Sequence, residues 1–199
     1  MIKVVLATGN AGKLHELRAM LAGSGIEVLP QSALGVSKIK ESGANFLENA
    51  LLKARNAARQ TGLPAIADDS GLEVDALGGA PGVYSARYAG AGASDADNLE
   101  KLLTELRSIS ADKRTARFRC SMAYVRQAND PTPVICEGIW EGYILETPRG
   151  SNGFGYDPVF LVPEKNRSCA ELLPVEKNRL SHRGQALCKL VEQLATLDR

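Results

Sequence analysis

The chain has 199 residues, 44% of them hydrophobic and 24% charged, which suits an ordinary folded domain with ample length for a core. Its net charge of +1 argues against a large polyanion such as duplex nucleic acid, but leaves room for a small anion held by a local basic cluster. The cysteines (Cys120, Cys136, Cys169, Cys188) form no Cys-x-x-Cys pair, no leader pattern opens the chain and no apolar run reaches bilayer length, so the expectation is the reducing cytoplasm and no membrane.

Ile2 to Ala7 is almost wholly apolar, the pattern of a strand covered on both faces. Thr8-Gly9-Asn10-Ala11-Gly12-Lys13 follows. Leu14, Leu17 and Leu21 then recur at helical spacing until Gly23 and Gly25 stop the helix. A glycine-containing turn thus joins a buried strand to a helix N-terminus. Free backbone N–H groups and the helix dipole favour an anion there, so the turn reads as phosphate-binding, with Lys13 adding a full charge. The spacing Gly-x-x-Gly-Lys-Leu is two residues short of a P-loop and lacks its Ser or Thr after the lysine. A plain strand-to-helix turn is the other reading.

Glu27-Val28-Leu29-Pro30 reads as a second short strand, and Gln31 to Ala44 as a loop. Glu41 in that loop matters only if it faces the carboxylates described next. Asn45 to Gln60 reads as a helix with Phe46, Ala50, Ala54 and Ala57 on one face. Lys53 on it reads more readily as a surface lysine than as one aimed at an anionic pocket. Leu63 to Ala67 is a short buried strand that ends in Asp68-Asp69-Ser70-Gly71. Two adjacent carboxylates there repel each other and lose hydration, which calls for a positive partner. A divalent cation held by oxygen ligands is the foremost candidate, and a solvated turn the alternative.

Leu72 to Leu77 alternates briefly, as a strand or an extended segment. Gly78 to Gly92 is a long irregular stretch in which Tyr84 to Tyr88 would wall a pocket or face a partner. Ser94 and Asp97 form a capping-box pattern ahead of Leu99, Leu102, Leu103 and Leu106. From Ala116 to Tyr124 the period is two, with Arg117, Arg119 and Ser121 on the polar face. Val134 to Leu145 reads as its antiparallel partner, interrupted at Gly138 and Gly142.

Thr147 to Pro158 is dense in turn residues. Phe154 and Tyr156, flanked by glycines, read as exposed rings suited to base stacking, or as anchors that tack the loop to the core. Val159 to Val162 is a short strand. Ser181 reads as the N-cap of a final helix striped with Leu187, Leu190, Val191 and Leu194. That places His182 and Arg183 in its first turn, where positive groups oppose the helix dipole unless an anion or carbonyl faces them.

The segments Thr8–Lys13, Asn45–Ala50, Ala67–Leu72, Gly78–Tyr88, Gly153–Pro158 and Ser181–Gly184 occur in one order across almost the whole chain. Together they resemble the inosine triphosphate pyrophosphatase family, most closely its bacterial dITP/XTP pyrophosphatase branch. The resemblance implies a single α/β domain over residues 1–199. It would be an elongated mixed central β-sheet flanked by helices, in two lobes with a cleft between them. It also implies a homodimer and Mg²⁺-dependent hydrolysis of ITP, dITP or XTP to the monophosphate and pyrophosphate.

Carried over by position, Thr8, Gly9, Asn10, Ala11, Gly12 and Lys13 would cradle the phosphates. Asp69 would be the catalytic carboxylate, and Glu41 with Asp69 would hold the metal. Ser70 would contact the substrate, and Phe154, Gly155, Tyr156, Asp157, Lys177, His182 and Arg183 would hold the nucleoside. His182 and Arg183 are donors that suit the 6-carbonyl of hypoxanthine or xanthine and leave adenine unpaired. Lys40 is a departure: close relatives are expected to carry an acidic residue there.

Overall fold

The computed structural model describes residues 2–197. In chain order the elements are β1 (Ile2–Leu6), α1 (Ala11–Leu21), β2 (Ile26–Pro30), α2 (Phe46–Thr61), β3 (Ala65–Val74) and α3 (Asp95–Glu105). There follow β4 (Thr115–Val125), β5 (Val134–Ile144), β6 (Phe160–Val162), β7 (Arg167–Ser168), α4 (Pro174–Leu180) and α5 (His182–Leu197). The strands form one mixed sheet in the order β2-β1-β3-β4-β5-β6-β7, the α/β architecture expected. The chain divides into two compact units, residues 1–69, 120–138 and 183–199 in the first and 70–119 and 139–182 in the second.

In the first unit β1 runs parallel to both β2 and β3. Parallel neighbours need crossover helices, and α1 and α2 supply them. The pleat sends alternate residues of β1 to opposite faces. Val4 and Leu6 pack with Leu17, Leu21 and the apolar stripe of α5. Val5 and Ala7 pack with Ala50, Ala54, Ala57 and Ala58 of α2. That double covering is why the strand has no polar face.

The second unit has its own core, which includes Leu72, Leu102, Leu106, Phe118, Trp140 and Phe160. The capping box of α3 is complete: Asp97 N–H donates to Ser94 Oγ at 3.2 Å, and Ser94 N–H to the Asp97 carboxylate at 2.8 Å. β5, β6 and β7 are successive antiparallel neighbours. No described helix is long and apolar enough to cross a membrane.

Several expectations need correction. The strand that carries the acidic pair does not end there; β3 continues to Val74, because the two charges are matched by side chains and the ladder need not stop. The alternation of β4 lapses after Cys120, and Ser121, expected on the polar face, is buried and donates to Glu137 at 2.8 Å. The segment after Gly78 contains a 3-10 turn, Gly82–Arg87, pinned by Ser85 Oγ, which accepts from Leu72 N–H at 2.9 Å. Nor is β5 interrupted. Gly142 lies within it because a Cβ there would collide with the Leu161 carbonyl and the Phe160 ring. Gly142→Ala should therefore overpack the second core and destabilise the protein by about 1–3 kcal/mol, read as a lowered denaturant midpoint.

Candidate active site

The first unit gathers its charged side chains around the adjacent aspartates of β3. Successive strand residues point to opposite faces, so the two meet different neighbours. Asp68 is fully buried. Lys13 Nζ lies 2.9 Å from Asp68 Oδ2, and Arg183 Nε donates to the same oxygen at 3.2 Å. Arg183, itself only 2% exposed, also donates from Nη1 to Glu16 Oε2 at 2.6 Å. Burial by itself raises the Asp68 pKa, but the charges of Lys13, Arg183 and Lys53 outweigh it and hold the carboxyl well below the usual range.

Asp69 is held less firmly. Lys53 Nζ donates to its Oδ1 at 2.8 Å and Asn49 Nδ2 to its Oδ2 at 3.2 Å. Burial raises its pKa, and here the nearby lysines do not overcome it, with Glu41 adding repulsion. Lys53 also lies 3.0 Å from Glu41 Oε1, so one ammonium bridges Glu41 and Asp69. The loop that carries Glu41 is docked by Gly43, whose N–H donates to Asn49 Oδ1 at 2.8 Å. A Cβ on Gly43 would come within 2.6 Å of Glu48 Cβ, so only glycine admits this approach.

The glycine-bearing turn expected to bind phosphate leads into α1, which begins at Ala11. Asn10 is the N-cap, its side chain accepting from Lys13 N–H at 3.0 Å, and Thr8 Oγ1 accepts from Asn10 N–H at 3.2 Å. The N–H groups of Ala11 and Gly12 have no partner among the described residues, as the first turn of a helix leaves them. Lys13, expected to add a full charge at the turn, is also engaged by Asp68, because a buried carboxylate demands a close cation.

The second unit gathers another group. Gly153 adopts φ +77°, and Phe154 N–H donates to Asp157 Oδ2 at 2.9 Å. Lys177, buried, donates to the same oxygen at 2.6 Å and places its ammonium 4.7 Å from the centre of the half-buried Phe154 ring. Gly155 N–H donates to Asp95 at 2.8 Å. Tyr156 does not present an exposed stacking ring: it is a core aromatic whose hydroxyl donates to Ser85 O at 2.8 Å. The anchoring reading holds for Tyr156. His182 is buried and stacks on Phe118 at 4.8 Å. Ser70, on β3, is half-buried.

Two members of the first group escaped the sequence reading. Lys53, read as a surface lysine, is half-buried between carboxylates; its spacing of four from Asn49 put two polar groups on one helical face, and that was the available signal. Glu16 sits beside Leu17 and three residues after Lys13, a polar residue on a buried face. The anion sought in front of Arg183 proves to be internal, supplied by Glu16 and Asp68.

The parallel strand-to-helix turn and the unequal aspartates beside it mark an α/β protein built around a buried ionic centre with an open helix start. The chain belongs to the Ham1 family, whose model matches residues 4–193. It is 61% identical over 195 residues to the dITP/XTP pyrophosphatase of Methylococcus capsulatus, covering 98% of this chain and 97% of that protein. It is 58% identical to the dITP/XTP pyrophosphatase of Vibrio parahaemolyticus, over 98% of each chain. Among solved structures, a HAM1 protein from Coxiella burnetii superposes with a TM-score of 0.91 at 51% identity, covering 98% of this chain and all of that one. A nucleoside-triphosphatase / dITP/XTP pyrophosphatase from Mycobacterium abscessus gives 0.76 at 43% identity, over 95% of this chain and 98% of that one.

Asp68→Asn would leave Lys13 and Arg183 beside a neutral amide. Breaking a buried pair in this way should cost about 3–5 kcal/mol in denaturant unfolding at neutral pH. Because the folded Asp68 pKa is depressed, its stabilisation is complete above the unfolded carboxylate pKa of ~3.9 and is lost as pH falls from there toward the folded value. The gap between wild type and variant should therefore narrow in acid.

Proposed function

We propose that this protein is a nucleoside triphosphate pyrophosphohydrolase that converts ITP, dITP or XTP to the monophosphate and pyrophosphate and so clears deaminated purine nucleotides. The observation that carries the reading is the inequality of the aspartates. Asp68 is locked as an ion, whereas Asp69 has a raised pKa and sits beside Glu41 through a shared lysine. A carboxylate whose affinity for a proton is increased suits a general base. The relatives that bear the dITP/XTP pyrophosphatase name support the substrate class. The reading includes a homodimer, as the resemblance implies, acting in the cytoplasm, as the composition led one to expect.

The residues present fit a magnesium ion. Glu41 and Asp69 already converge on one cation, the Lys53 ammonium, and both offer hard oxygen donors. Magnesium is held by one or two carboxylates with water and phosphate oxygens completing its shell, so two suffice. When bound, the ion would polarise a phosphoryl oxygen and lower the pKa of a coordinated water.

The protein's own groups do the rest. Asp69 orients a water and accepts its proton as that water attacks the α-phosphorus. The N–H groups of Ala11 and Gly12, at the positive end of α1, hold phosphate oxygens. Lys53 joins Asp69 to Glu41 in the resting site. Phe154 offers a face to the purine, backed by the Lys177–Asp157 pair, and His182 and Arg183 read the 6-carbonyl. Because the guanidinium of Arg183 already serves Asp68 and Glu16, its substitution would disturb the ionic centre as well as base recognition.

Purified protein with Mg²⁺ should release pyrophosphate, not orthophosphate, from ITP and XTP, and far more slowly from ATP; equal release from ATP would overturn the base assignment. Asp69→Asn should keep its fold by circular dichroism and lose at least about a hundredfold in kcat. The kcat/KM profile should fall toward acid with a midpoint above the ordinary aspartate value of ~3.9, since the base must be ionised and its pKa is raised. Removing magnesium with a chelator should abolish turnover without unfolding the protein.

A further inference from the structure

The cations of the ionic centre around Asp68 and Asp69 are already committed. Lys13 is paired with Asp68, Lys53 with Asp69 and Glu41, and Arg183 with Asp68 and Glu16. Three cationic side chains face four carboxylates, so this cluster is formally negative before a triphosphate arrives. A polyanion held at the start of α1 needs positive charge from elsewhere as well as from a metal.

Lys38 is placed to give it. A Cβ built on Gly9 would lie 3.5 Å from Lys38 Cε and 3.9 Å from its Nζ, with Gln31 Nε2 also at 3.9 Å. Two nitrogen donors from the segment after β2 thus lie against the glycine of the turn. Lys38 is exposed, and among the described residues no carboxylate lies within ion-pair distance of it. The backbone beside it is nonetheless pinned. Ser37 N–H donates to Gln60 Oε1 at 2.9 Å, and Ser37 O accepts from Asn56 Nδ2 at 2.9 Å and Gln60 Nε2 at 3.3 Å. Val36 packs into the alanine-lined core under α2. The root of the lysine is therefore fixed while its ammonium remains available.

We infer that Lys38, with Gln31 beside it, is a further substrate-binding residue that contacts the pyrophosphate portion of the triphosphate at the Gly9 turn. The inference rests on the triphosphate reading above. The contact is made to a group present in both substrate and product, so it strengthens binding without favouring the transition state, and its loss appears in KM and not in kcat. Lys40 lies two residues on, is likewise exposed, and serves as the control.

The test compares wild type, Lys38→Ala, Lys38→Arg and Lys40→Ala in ITP hydrolysis, with inhibition by inorganic pyrophosphate measured alongside. Lys38→Ala should raise KM and the pyrophosphate inhibition constant together by about three- to tenfold at little change in kcat, the range of one partly exposed charge-assisted contact. Lys38→Arg should restore most of both, and Lys40→Ala should match wild type. Unchanged KM and inhibition in Lys38→Ala, or an equal loss in Lys40→Ala, would overturn the assignment. A wild type inert toward ITP would instead remove the triphosphate reading. Calorimetric binding of inorganic pyrophosphate then decides Lys38 separately: weaker binding in Lys38→Ala supports it, and equal or absent binding ends it.

Discussion

A carboxylate with no access to water organises the first unit. Asp68 is buried in β3, and an isolated ion there would cost several kcal/mol. It persists because Lys13 reaches it from α1 and Arg183 from α5, with Glu16 also accepting from the guanidinium. Three elements far apart in sequence are thereby held in one arrangement. The strand can run on through two adjacent aspartates, the start of α1 is fixed against β3, and the basic first turn of α5 is neutralised where the helix dipole disfavours it.

That arrangement leaves the neighbouring carboxylate in a different electrostatic setting. Asp69 faces α2, where Asn49 and Lys53 are one turn apart and both reach it. Its burial outweighs their help, so its proton affinity rises while that of Asp68 falls. Two aspartates joined by one peptide bond are thus placed in separate electrostatic settings by the facing alternation of a strand. The Glu41 loop reaches the same lysine only because Gly43 lets the backbone settle against Asn49.

In the second unit a comparable economy organises the Phe154 loop. Asp157 accepts from the loop backbone and from Lys177, which in turn stands by the Phe154 ring. Tyr156 fastens the loop from within the core. The match to Ham1-family proteins runs through the residues of both groups.

Much of this was legible in the residues themselves. The double-faced apolar run of β1, the Ser94–Asp97 box and the glycine-bearing turn before α1 depend on local spacing, and local spacing is what a sequence displays. The candidate residues were legible through their motifs, Asp69 and the Thr8–Lys13 turn above all. What only the tertiary structure decided was the partner of each charge. Lys53 looks like any surface lysine until α2 lies against β3, Tyr156 like an exposed ring until Ser85 meets its hydroxyl, and Lys13 like a free cation until Asp68 is buried beside it. A charge acquires its role from desolvation and from the opposite charge that chain folding brings within about 3 Å, and neither quantity exists along an extended polypeptide.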